Sequence, residues 1–451
     1  MHTRPVALAL ALVALVSPGP ARAAGPADVP GAIDVPSAIV PGTVNRTSLR
    51  IAASYDVTAS LRIVARRLTG TVTIEAVNES GTGIDRLELN STLGALGGLA
   101  LGAVTVDGKA VAARAAGQTI LVPLGGILPA GATATVRVPF AATLRSDIAG
   151  SNWLLTRANG IVSMYRWVPW ISRATTFRRP NHGDPFVTPV ATAATLRLTV
   201  DAPTRVVVNG TRTATSPDGL TTTWHADHVR ELVVNAAPDY ASRTVTSAGG
   251  VTVIVLVRPG QPAGAIADAA VTALDRLTAR LGPFPWPVLR IVQSSGGYGM
   301  EGPGIVWIPG GVAASNRAYL VTHEIVHQWF YGVVGNDQAR EPFADEALTD
   351  MVARNVLGMR RGSRCPTARL DRPIYDYSAA CYYETIYIGG GNLIDDARRT
   401  MGTATFYATL RRYLADHRWG LVHTRTLLDA LDAATPTDLA AGWRTRFPTL
   451  Y

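Results

Sequence analysis

From Leu49 onward the chain alternates apolar and polar residues in short runs, as in Thr71–Val77, Ile120–Val122, Ala134–Val138, Thr195–Val200 and Glu231–Val234. A period of two puts one apolar row on a single face of a strand. Asp107–Gly108, Asn209–Gly210 and Pro217–Asp218–Gly219 separate the runs with residues that tolerate turn dihedrals. Many short strands at close spacing predict an N-terminal antiparallel β-sandwich or saddle domain over residues 49–244. Trp153, Tyr165, Trp167, Trp170 and Phe177 crowd one stretch of it. We read them as packing between sheets or domains rather than as a carbohydrate platform.

Near residue 245 the period changes. Val251–Val257 reads as a buried strand, Ala265–Leu281 as an amphipathic helix stopped by Gly282–Pro283, and Val288–Val292 as another strand. After Ser315 the pattern is mainly helical, so residues 245–451 form a second, α+β domain. No internal repeat is visible. At the other end, Arg4, the apolar run Val6–Val16 and the small-residue site Ala21–Arg22–Ala23 have the order of a secretory signal peptide spanning residues 1–23. No cysteine near that site offers a lipid anchor, and no apolar run reaches the ~20 residues of a membrane-spanning helix. The expectation is an exported, secreted protein with no integral membrane segment after signal cleavage. Residues 24–48, rich in Pro, Ala and Gly, read as a flexible lead-in.

Composition narrows the picture further. With 47% hydrophobic and 17% charged residues in 451, the chain is too apolar for disorder and long enough for more than one core. The net charge of +9 invites a nucleic-acid reading, but only Lys109 among the 42 basic residues is a lysine. The arginines are scattered, with no run longer than pairs such as Arg66–Arg67, Arg178–Arg179 or Arg360–Arg361. A phosphate-tracking surface clusters its charge, so we expect no nucleic-acid partner. The 2 cysteines, Cys365 and Cys381, lack the spacing of a redox or zinc motif. In an oxidising compartment they are expected to pair as a disulfide, the alternative being two buried thiols. Sequons begin at Asn45, Asn78, Asn90 and Asn209.

The segment that carries chemistry is Val321–Phe330, which contains His323–Glu324–Ile325–Val326–His327. Four residues make slightly more than one helical turn, so both imidazoles share a face and suit two corners of a tetrahedral zinc site. Glu324 follows the first ligand and faces the open coordination position, where a general base belongs. With 8 histidines in 451 residues, H-E-x-x-H arises by chance only about 0.003 times. Eighteen residues separate Glu346 from His327, with Gly332, Gly335 and Pro342 among them to turn the chain. Two histidines and one glutamate leave a fourth position for water. Asp350, one turn after Glu346, is the candidate to accept a hydrogen bond from a ligand imidazole; the alternative is a solvated helix carboxylate.

H-E-x-x-H, eighteen residues, then Glu resembles the zinc signature of the gluzincin aminopeptidases related to aminopeptidase N. Tyr298–Gly299–Met300–Glu301–Gly302–Pro303–Gly304 is similar to that family's G-x-M-E-N segment, an edge strand along the cleft. Tyr387–Ile388–Gly389–Gly390 resembles its Y-x-K-G, and Leu281–Pro287 and Asp184–Pro185 resemble further landmarks. The resemblance implies a thermolysin-like catalytic domain with one zinc ion on His323, His327 and Glu346. It implies Glu324 as general base and Tyr387 as oxyanion donor. Glu301, with Met300 and Gly299, would bind the substrate, Glu301 pairing with the free α-ammonium of a peptide.

Three departures mark this chain: Tyr298 where the family has glycine, Gly389 where it has lysine, and no long helical C-terminal domain after Tyr451. Two other readings follow from them. The same site could act as an endopeptidase in an uncovered cleft, or the chain could be a zinc-stabilised binding protein with degenerate catalysis. His225 and His228 lack a third ligand partner and read as surface residues, and His417 and His423 flank a helix end near Trp419–Gly420, where the dipole favours a cation.

Overall fold

A computed structural model describes residues 37–175 and 186–451. The signal-peptide reading, most of the predicted lead-in, Phe177 and the Asp184–Pro185 landmark lie outside the described residues.

The period-two stretch builds a nine-stranded sheet. In spatial order its main strands are Thr211–Thr215, Thr221–Val229, Ala191–Val200, Ile51–Arg62, Arg67–Asn78 and Thr133–Thr143, followed by short edge pieces at Thr105–Val106 and Lys109–Ala110. Along Ile51–Arg62 every second side chain is buried, which sends Tyr55, Val57 and Leu61 into the core. Ile51–Arg62 runs antiparallel to Arg67–Asn78 but parallel to Ala191–Val200. The sheet is therefore mixed, where alternation alone predicts an antiparallel one. Period sets which face is buried; it says nothing of strand direction.

Two four-stranded sheets complete this region. One joins Leu155–Ala158, Ile161–Met164, Val234–Ala237 and Arg205–Val208; the other joins Trp170–Ile171, Ile84–Asn90, Thr119–Leu128 and Arg114–Ala116. The strand expected at Glu231–Val234 begins at Val234 instead. The Asn209 side chain binds the carbonyl of Glu231 and the N–H of Val233, so these backbone groups do not enter a ladder. Trp153, Tyr165, Trp167 and Trp170 are all buried. Trp170 stacks on Tyr55 at 3.7 Å, and Trp153 and Tyr165 meet the edge of Trp307 in the next sheet.

The described part of the predicted flexible lead-in is tied down. Val40 exchanges both backbone hydrogen bonds with Ile127, and the Asp85 carboxylate accepts from the N–H groups of Val44, Asn45 and Arg46. A Pro- and Gly-rich composition removes regular elements; it does not prevent pairing with a distant carboxylate.

Beyond it, a five-stranded sheet runs Ala241–Thr246, Thr252–Val257, Val288–Ser294, Ile305–Pro309 and, at the edge, Met300–Gly302. Helix Ala263–Leu281 lays Ile266, Ala270, Leu274 and Leu277 against it and ends at Gly282, whose φ of 99° suits a residue without Cβ. Helices Ala314–Val326, Leu348–Leu357, Gly391–Met401, Thr403–Asp416 and Thr424–Asp432 pack around a second apolar core. Among the described residues no helix is long and apolar enough to cross a membrane.

Candidate metal centre

His323 and Glu324 lie in helix Ala314–Val326, and His327 caps its C-terminus. The chain then turns, and Glu346 returns within Phe343–Ala347, a π-helical turn that feeds helix Leu348–Leu357. Such turns widen the backbone spacing by one residue and recur at functional sites. Nε2 of His323 and Nε2 of His327 stand 3.2 Å apart, and Oε2 of Glu346 stands 3.3 Å and 3.4 Å from them. In a tetrahedral zinc site with bonds of about 2.0–2.1 Å, neighbouring ligand atoms are about 3.3–3.4 Å apart. The three side chains thus already form one face of such a tetrahedron. Buried Glu346 Oε2 makes no hydrogen bond. The donor set fits zinc.

Electrostatics point the same way. Burial disfavours a charged His327, yet Asp345, Glu301 and Glu346 around it outweigh burial and raise its pKa well above the usual histidine value. For Glu346, burial is outweighed by His327 and His323, which hold the carboxylate ionised far below its usual range. The pocket's acids demand positive charge.

His327 Nδ1 lies 2.8 Å from Asp345 Oδ1 and 3.2 Å from the Phe330 carbonyl. Both partners favour the proton on Nδ1, so Nε2, on the Glu346 side, is the atom that a metal would take in place of a proton. This is the contact that sequence reasoning gave to Asp350. Asp350 instead accepts hydrogen bonds from Tyr319 and from Arg354, the latter with Nε at 2.6 Å. The i+4 rule that selected Asp350 assumes an unbroken α-helix from Glu346, and the π-helical turn breaks that assumption.

Glu301 sits on the edge strand Met300–Gly302, where Gln338 Nε2 donates to it at 2.9 Å. The same Gln338 nitrogen donates to Asp345, and Arg166 donates to Gln338 Oε1 at 2.5 Å. Gly299 lies against the Glu324 carboxylate so closely that a Cβ there would overlap it. Met300 lines the same cavity and is buried. Tyr387, in the π-helical turn Glu384–Gly390, stacks its ring on His323 at 5.6 Å. Burial and the nearby Glu346 carboxylate raise its pKa well above the usual tyrosine value, so its hydroxyl stays a donor. Cys365 and Cys381 form a disulfide immediately before Tyr382 and Tyr383.

The structure therefore brings His323, His327, Glu346, Glu324, Glu301, Met300, Gly299 and Tyr387 to one cavity of about 460 Å³. Asp345, Gln338, Tyr319 and Trp153 belong to this neighbourhood and were not legible beforehand. Asp345 could have been suspected as the carboxylate next to Glu346. Trp153 comes from the β-rich region, and no local pattern marks it.

No protein-family model matches the chain, and no curated protein does. Solved structures do. The M1 zinc metallopeptidase from Deinococcus radiodurans superposes with a TM-score of 0.68 at 20% identity, covering 91% of this chain and 96% of that one. A mutant of that enzyme bound to a Tyr-Ser-Ala substrate gives 0.67 at 20%, with the same coverage. A two-domain M1 zinc metallopeptidase mutant bound to L-arginine gives 0.67 at 19%, covering 92% and 96%. The fold of this chain is that of these two-domain structures.

Proposed function

We propose that this chain is a secreted zinc-dependent aminopeptidase. The observation that carries the reading is the face of three ligand atoms 3.2–3.4 Å apart, with Glu301 and Glu324 in the same cavity. Held by His323, His327 and Glu346, zinc would supply Lewis-acid polarisation and water of lowered pKa. Glu324 accepts the proton of the attacking water and returns it to the leaving amine. The Tyr387 hydroxyl, kept protonated by its surroundings, donates to the oxygen on which charge develops. Glu301, buried at the edge of the sheet, pairs with the substrate's α-ammonium and so sets the cut one residue from the N-terminus. Peptide substrates are also supported by the Tyr-Ser-Ala and L-tryptophan complexes of structural relatives. Secretion rests on residues 1–23.

One peptide in free and N-acetylated forms tests the reading, with products followed by mass spectrometry. We expect stepwise loss of single residues from the free form alone. In Glu324→Gln we expect zinc to remain while the rate falls by about 10²–10⁴. Internal cuts in both forms would establish an endopeptidase instead. Stoichiometric zinc without turnover would establish a binding protein.

A further inference from the structure

We propose that Tyr298 selects substrates by the residue on the departing side of the scissile bond, favouring a large aromatic or apolar side chain there. The inference rests on the aminopeptidase reading above. It begins with the loop that carries Tyr298. Gly296 and Gly297 have φ of 149° and 86°; a Cβ on Gly297 would overlap the Trp153 indole, and one on Gly296 would come within 2.7 Å of Ile148. The backbone therefore lies flat on the β-rich region. Asn159 Nδ2 donates to the Ser295 carbonyl at 2.8 Å, and Ser295 N–H donates to Ser163 Oγ at 3.0 Å, fixing it there.

On this stiff support Tyr298 stands edge-on to Trp153 at 6.1 Å and is 75% exposed, although it lines the cavity. An aromatic side chain held ready on a fixed loop loses little freedom when a ligand packs on it.

Register decides which substrate residue it meets. Met300–Gly302 is the edge of its sheet, bonded to Ile305–Pro309 on one side, so an extended peptide can add along its other side. Glu301 anchors the amine. Gly299 lies against Glu324, which places the reacting carbonyl beside Gly299. Tyr298 comes next along the chain, on the side of the departing peptide. Among the described lining residues none is lysine or arginine, whereas Glu301, Glu324 and Glu346 all are present. An acidic substrate side chain therefore finds no partner.

The test is a series of free peptides Leu-Xaa-Ala with Xaa as Phe, Leu, Ala or Asp, read as kcat/KM. Wild type should favour Phe over Ala by about tenfold, the upper range for an added aromatic pair, with Asp poorest. Tyr298→Gly should bring the Phe/Ala ratio close to one, losing far more on Leu-Phe-Ala than on Leu-Ala-Ala, and Tyr298→Phe should retain the wild-type profile. An unchanged ratio in Tyr298→Gly, or an equal loss on every peptide, would overturn the assignment. A flat wild-type profile with clean N-terminal cleavage would strike Tyr298 alone. Absence of any N-terminal cleavage would overturn the aminopeptidase reading and this inference with it.

Discussion

Two buried polar clusters meet at Gln338, and they are built to opposite rules. One centres on Arg230 and Arg166. Arg230 donates to the carbonyls of Tyr331 at 2.6 Å, Thr188 at 2.8 Å and Gly420 at 2.8 Å, and burial pushes its pKa down to about 10. Arg166 meets Glu231 Oε2 at 3.2 Å, and Tyr331 donates to the same oxygen at 2.5 Å. These guanidinium contacts are answered inside the protein, and the cluster ties the β-rich region to the loop that follows the H-E-x-x-H helix. The other cluster, His323, His327 and Glu346, is incomplete: among the described residues Glu346 Oε2, which faces both imidazoles, is buried without a hydrogen-bond partner. A cluster whose guanidinium groups are answered from within holds a fold together. An incomplete one, tolerated at a cost of about 1–3 kcal/mol per orphaned group, marks where a ligand belongs.

The sharpest way to break the contrast is Glu346→Gln. It should abolish zinc binding and lower hydrolysis beyond the roughly 100-fold that loss of an outer partner costs. Metal analysis and activity check it, and an unchanged far-UV spectrum would confine the damage to the incomplete cluster. Arg230→Met attacks the other side. Leaving several buried carbonyls unanswered should cost about 3–5 kcal/mol, read from the denaturant midpoint. If Arg230→Met unfolds no more easily than wild type, the arginine cluster is not a structural tie. The smallest effect falls where the clusters touch. Asp345→Asn should weaken zinc affinity by about 10–100-fold, measured against a competing chelator, with Asp350→Asn affecting it less.

What could be read in advance follows from how far each signal reaches along the chain. His323, Glu324 and His327 share one helical turn, so periodicity alone aligns them. The buried rows of Ile51–Arg62 and the helix Ala263–Leu281 were legible for the same reason. Glu346 needed only a turn and a spacing. Asp345 was missed because the π-helical turn rotates the chain by a residue that α-helical counting does not contain. Gln338 and Arg166 are 172 positions apart, and Trp153 meets the cavity from a 3₁₀ turn of the β-rich region. Contacts of that range are set by topology, and no window of local sequence encodes them. The parallel pairing inside the large sheet was hidden for the same reason.

That pairing also bears on how the molecule is made. Ile51–Arg62 forms its hairpin with Arg67–Asn78 early, but its other flank is closed by Ala191–Val200; Thr192 reaches the carbonyl of Ala53, 139 residues earlier. Until that late segment is available to pair, the hairpin carries an open edge with buried-type residues on one face. Closing so long a loop is slow, because its entropy is lost before the ladder compensates for it. The β-rich region therefore sets only when its last strands pair.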